Sequence, residues 1–291
     1  MVEPEAEAGV VMDEPGVPSP VGRRSDAGAP RRRYPRRRPG LPGPPVHPVR
    51  RTVRYWMARV ATWLLARAYL RITFEGRSRL PPGPAVLCFN HLNWADPFVL
   101  MAVIPFRPRL YFFGPKEEDM RVGGRNRLMA WVGMAVPYRP GKNDLLEATR
   151  RVQAVFDAGG ILAIAGEGRI HAGERELLPL SEGAAYFALR SGVPLVPVAV
   201  NGTSWLGFGR RTRVRVGEPI ATSGRRPIRE AVDDLTIQLT DELRALVADF
   251  PDQLEPGRFG RWLTEVFNEW PGGRRPQPGD RALPGTEQPA D

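Results

Sequence analysis

His91 and Asp96 stand in the stretch Asn90-His91-Leu92-Asn93-Trp94-Ala95-Asp96-Pro97. An imidazole with a carboxylate in reach is a general base whose tautomer and orientation are set by its partner, and such a pair can take a proton from an alcohol. The same residues also have a plainer reading. Asp96 can serve only as a helix cap ahead of Pro97, with His91 closing a turn, and short motifs match by chance. The single cysteine, Cys88, lies in an apolar run and reads as an inert core thiol. The three histidines, His47, His91 and His171, form no Cys/His cluster with zinc spacing. No Gly-x-Ser-x-Gly nucleophile elbow is present.

The elements that must position this pair follow from the apolar pattern. Residues 85–89, bounded upstream by Pro81, Pro82, Gly83 and Pro84, read as a buried strand that delivers Asn90 and His91 to its C-terminal end. The spacing then predicts a helix from Asp96 through Ile104, and strands at 71–75, 110–113, 134–138, 161–165, 193–200 and 212–216. Further helices are expected at 144–158, 181–191 and 228–249. This alternation specifies an α/β fold with a mostly parallel sheet flanked by helices. Parallel strands end along one edge, so Lys116, Arg139, Glu167 and Arg169, each at or just past a strand end, are expected to line one crevice with His91 and Asp96. A base surrounded by cations suits a phosphate beside an alcohol. His171, in a loop beside Gly173, is expected to be exposed.

With 291 residues and 42% hydrophobic content, the chain can build a substantial core. Residues 1–48 are expected to form a disordered Pro/Arg-rich head, 49–250 the folded domain, and 251–291 a short amphipathic helix, 259–270, with a disordered tail. The net charge of +10 comes almost wholly from arginine, since the lysines are Lys116 and Lys142. Anionic partners are therefore favoured, and the blocks Arg31-Arg32-Arg33 and Arg36-Arg37-Arg38 could meet anionic lipid or nucleic acid, or be a solvated tail. In the expected helix 51–70, Val53, Trp56, Met57, Val60, Trp63 and Leu64 share a face, with Arg51, Arg54 and Arg59 off it. That pattern fits a helix lying in a membrane interface or one packed on the domain. The acidic N-terminus lacks the apolar stretch of a signal peptide, and no apolar run reaches the roughly 20 residues of a membrane span. The expected location is peripheral, at the cytoplasmic face of the cell membrane.

Four blocks in order resemble the lysophospholipid and 1-acylglycerol-3-phosphate acyltransferases: Asn90-His91 with Asp96, similar to an N-H-x4-D motif; Gly133 to Arg139; Glu167-Gly168-Arg169; and Val193 to Val198. The resemblance implies transfer of a fatty acyl group from acyl-CoA or acyl carrier protein to a lysophospholipid hydroxyl, forming phosphatidic acid. It implies His91 as base and Asp96 as its partner. Asn90, Lys116, Gly133, Arg139, Glu167, Gly168 and Arg169 are implied to bind substrate. No metal or cofactor is implied, nor is nucleic acid as a partner. The third block departs from the family's Pro-Glu-Gly-Thr-Arg-Ser by placing arginine one position early, which leaves the acceptor head group open. Alternative acceptors are lysophosphatidylethanolamine or an amino-acid-derived lyso-lipid. A non-catalytic basic protein that binds membrane or nucleic acid is the reading from another class.

Overall fold

Side chains alternate along a strand, and here the alternation feeds two separate cores. In the segment 85–89, Ala85, Leu87 and Phe89 join one apolar cluster, while Val86 and Cys88 join another on the opposite face. A strand buried on both faces must be central in a sheet with helices above and below. In the structure, a computed structural model that describes residues 47–114, 128, 131–138, 145–268, 270 and 275, this is what is found.

In chain order the elements are α1 (Pro48–Tyr69), β1 (Leu70–Glu75), β2 (Ala85–Phe89), α2 (Asp96–Val103), β3 (Leu110–Phe113), β4 (Ala135–Val136), α3 (Leu145–Asp157), β5 (Ile161–Ala165), α4 (Gly183–Ser191), β6 (Leu195–Asn201), β7 (Arg210–Val216), α5 (Arg229–Val247) and α6 (Arg258–Glu265). Among the described residues, seven strands form one sheet in the order β1-β7-β6-β2-β5-β3-β4. Five neighbours, β6 to β4, run parallel, and β7 joins β6 antiparallel with β1 parallel to β7. The start of β1 therefore lies at the same edge as the C-terminal end of β2. Residues of α1 and α2 pack with one core, and those of α3, α4 and α5 with the other. Each fully buried Leu, Val or Ile contributes about 1.5–3 kcal/mol, so the doubly covered β2 is held from both sides.

The largely parallel α/β sheet was legible in advance, but three details differ. The strand expected at 134–138 is only Ala135–Val136, because Pro137 has no N–H to continue a ladder. The outer pair β7 and β1 runs against the other five. The third difference concerns α1. Arg59, expected on the polar side, is completely buried. It donates to the Ile104 carbonyl, and its guanidinium lies 4.7 Å from the Phe106 ring centre and 5.8 Å from that of Tyr55. Burial draws its pKa below the ordinary arginine value. The Tyr55 hydroxyl donates to the Phe106 carbonyl and accepts from the Leu110 N–H, both at 3.3 Å. The helix thus docks through Tyr55 and Arg59, which match polar groups at the α2–β3 connection, and turns Val53, Met57, Val60, Trp63, Leu64 and Leu65 outward.

Candidate active site

At the end of β2 the chain leaves the sheet, and Asn90 finishes the ladder with its side chain. Its amide accepts from the Val200 N–H at 2.7 Å and donates to the Val200 carbonyl at 2.9 Å, copying a strand residue against β6. This frees the backbone to turn while holding His91 in place. His91 Nδ1 is 2.8 Å from Asp96 Oδ2. The same carboxylate oxygen accepts the N–H groups of Leu92 at 2.7 Å and Asn93 at 2.9 Å. Asp96 begins α2, with Ala95 at the cap position and no side-chain capping bond. The plainer reading of Asp96 as a helix cap is thereby removed: its carboxylate points back into the turn. A buried carboxylate oxygen that already accepts two backbone N–H groups favours the Nδ1–H tautomer, which leaves Nε2 with its lone pair on the partly exposed side of the ring. Among the described residues Nε2 has no hydrogen-bond partner.

The loop after β5 closes over this turn. Glu167 turns inward: Oε2 accepts the His91 N–H at 2.7 Å and Oε1 accepts the Leu178 N–H at 2.9 Å. His171 Nε2 lies 3.0 Å from Glu167 Oε1, close enough for charge attraction though not aligned for a hydrogen bond. The His171 N–H donates to the His91 carbonyl at 3.1 Å. Contrary to the expectation of an exposed loop histidine, His171 is buried. Burial opposes its charge, but Glu167, Glu176 and Asp96 outweigh that and raise its pKa above 6.5. Glu174, fully buried, accepts from the Gly202 N–H at 2.7 Å and the Ser204 N–H at 3.1 Å, tying the loop to the end of β6. Burial, with a smaller push from Asp96, raises its pKa despite those donors.

Residues 71–201 match the family model described as Acyltransferase. This span contains the whole His91–Asp96 turn and Glu167. The likeness to that family covers residues 71–201, a little under half of the chain. Its fold is similar to that in the crystal structure of the 1-acyl-sn-glycerophosphate (LPA) acyltransferase PlsC from Thermotoga maritima, with a TM-score of 0.51 and 16% sequence identity over 70% of this chain and 81% of that one.

The residues singled out from the sequence fall into three groups. Asn90, His91, Asp96 and Glu167 come together as one bonded unit. Gly168, with φ of 66°, turns the chain so that Arg169 stands at the same sheet edge, partly exposed and without an ion pair among the described residues. Gly133, with φ of 73°, leads into β4, two strands beyond β5. Lys116 and Arg139 lie outside the described residues. Among the described residues no group of three or more His, Cys, Asp and Glu side chains is arranged to hold a metal ion. A hollow of about 410 Å³ lined by Arg77, Pro82, Arg107 and Pro108 lies at the N-terminal ends of the strands, away from His91.

For the tail helix 259–270 the sequence left two roles open, an interfacial contact and a cap on the fold, and α6 does pack on the His91 turn. The Trp94 indole donates to the Leu263 carbonyl at 2.9 Å, the Trp94 N–H donates to Asn268 Oδ1 at 3.0 Å, and the Trp94 and Phe267 rings meet edge to face at 5.1 Å. Thr264 Oγ1 accepts the Leu206 N–H at 2.9 Å. The His91 turn is thus clamped between the 166–178 loop and the C-terminal helix. The one signal for this in the sequence is the small pair Gly260 and Thr264 one turn apart, opposite Phe259 and Trp262.

Proposed function

We propose that the protein transfers a fatty acyl group from acyl-CoA or acyl carrier protein to the free hydroxyl of 1-acylglycerol-3-phosphate, giving phosphatidic acid. The observation that carries this reading is the 2.8 Å contact of His91 Nδ1 with Asp96, which leaves Nε2 free at the edge where ligands bind in open α/β sheets. Nε2 takes the hydroxyl proton as the alcohol oxygen attacks the thioester carbonyl. The tetrahedral oxyanion collapses, the C–S bond breaks, and the imidazolium returns its proton to the departing thiolate. Asp96 orients the ring and balances the imidazolium charge. Such base assistance is typically worth about 10²- to 10⁴-fold.

The acceptor phosphate is assigned to Arg169, with Lys116 and Arg139, both outside the described residues, as further candidates. The outward apolar face of α1 supports a peripheral place on a membrane surface, where the lysophospholipid acceptor partitions. Among the described residues, no helix is long and apolar enough to cross a membrane. A second acceptor, lysophosphatidylethanolamine or an amino-acid-derived lyso-lipid, is favoured by the arginine that directly follows Gly168. The test is acyl transfer from oleoyl-CoA and oleoyl carrier protein to a panel of lysophospholipids in mixed micelles, with Arg169→Ala alongside. The reading expects lysophosphatidate to be the best acceptor and its KM to rise at least tenfold in the variant. A better rate with a zwitterionic acceptor, unchanged in Arg169→Ala, moves the second acceptor class to the front.

A further inference from the structure

Four large apolar side chains outside the catalytic turn are exposed to an unusual degree: Phe208 at 81%, Leu254 at 84%, Phe259 at 64% and Trp262 at 58%. They share one rim. Leu206 bonds to Thr264, and a Cβ on Gly260 would stand 2.6 Å from the Leu206 carbonyl oxygen, so the 206–208 loop rests directly on α6. Arg210 reaches Gln253, the neighbour of Leu254, at 3.4 Å. The Phe208 ring meets Tyr69, the last residue of α1, edge to face at 6.0 Å, so the rim reaches the C-terminal end of that helix. Single exposed apolar residues need no explanation, but a contiguous group marks an interaction surface.

We propose that this rim is a second docking surface and that its occupant is an anionic lipid bilayer. The inference rests on the acyltransfer reading for why a lipid surface should stand there, and it adds where the bilayer touches. Arginines border the apolar group: Arg210 and Arg211 follow Phe208, Arg258 precedes Phe259, and Arg261, paired with Glu255 at 2.8 Å, precedes Trp262. An open depression of about 270 Å³ lies between Arg258, Arg261, Trp262 and Glu265. Aromatic rings at the acyl boundary with guanidinium groups on lipid phosphates are the chemistry of an interfacial helix. A second copy of the chain would oppose like-charged arginines, which disfavours self-association. Docking here sets α6, and with it Trp94 and the His91 turn, against the bilayer.

The experiment is vesicle flotation of the full chain with phosphatidylglycerol/phosphatidylcholine or pure phosphatidylcholine vesicles. Wild type is compared with Phe208→Ser/Trp262→Ser, with Leu254→Ser/Arg258→Ser, and with Ile237→Ser, an exposed apolar position on α5. The expected result is at least tenfold weaker binding to anionic vesicles in both double variants, binding within twofold of wild type for Ile237→Ser, and melting temperatures unchanged throughout. A double variant that melts normally and binds as wild type does overturns the proposal. So does wild-type binding that is equal on neutral vesicles, or loss of a dimer in sedimentation with vesicle affinity unchanged. Flotation involves no turnover, so failure of acyl transfer would leave this result standing, and failure here would leave the chemistry of His91 untouched.

Discussion

Asp96→Asn separates the charge of the partner from its shape. The asparagine oxygen can still accept from Leu92, Asn93 and His91 Nδ1, so the turn keeps its acceptor and the loss of stability should stay near 1–2 kcal/mol. What disappears is the negative charge facing the imidazolium as it forms. With the Nδ1–Oδ2 contact at 2.8 Å, delocalisation on both groups puts the charge centres roughly 4 Å apart, where an effective dielectric of about 20 gives about 4 kcal/mol. The transition state carries most of this, and each 1.36 kcal/mol is tenfold in rate, so kcat should fall by about 10³. The assay is oleoyl transfer to lysophosphatidate under single-turnover conditions, with a melting curve of the same preparation. A loss of less than tenfold in a protein that melts within a few degrees of wild type would refute the claim that Asp96 acts on His91 by its charge.

Three further perturbations test the surrounding structure. His171 has a folded pKa above 6.5, so it stabilises the fold fully below about pH 6.5 and loses that contribution as pH rises through the folded value. The melting temperature of wild type should therefore drop more between pH 6 and pH 9 than that of His171→Gln, and parallel curves would contradict the ion pair with Glu167. Glu174→Gln sets an amide NH2 against one of two backbone donors, Gly202 or Ser204, and should cost about 1–3 kcal/mol in urea unfolding; an unchanged midpoint would contradict that bonding. Gly202→Ala should destabilise by at least about 2 kcal/mol, because φ is 84° and the new Cβ would lie 2.2 Å from the Arg211 carbonyl oxygen. Chemical denaturation reads it directly, and a change below half a kcal/mol would mean that the turn is built differently.

The sequence carried the fold where period and punctuation agree. The strands at 110–113 and 161–165 were legible to the residue because each is a short apolar run closed by glycine. Asn90, His91 and Asp96 were legible because one turn holds all three. The reversed pair β1 and β7 was not, since the 202–209 connection gives no sign of which way the chain returns. Which face of α1 docks was left open by the sequence, and the burial of Arg59 was not legible because complementarity, with Tyr55 and Arg59 filling a polar notch, prevailed over hydrophobicity. His171 and Glu174 were missed because burial of a charged loop residue depends on partners far along the chain, Gly202 and Ser204 among them. The clamp between Trp94 and α6 joins residues some 170 positions apart, beyond any local pattern.

The central claim is that His91 Nε2 removes the acceptor proton. His91→Ala tests it most directly, with wild type and variant compared for oleoyl transfer to lysophosphatidate at saturating substrate. The account predicts a kcat lower by two to four decades, with an unchanged melting temperature and undiminished lysophosphatidate binding. Transfer by the variant at a rate near that of wild type would contradict it.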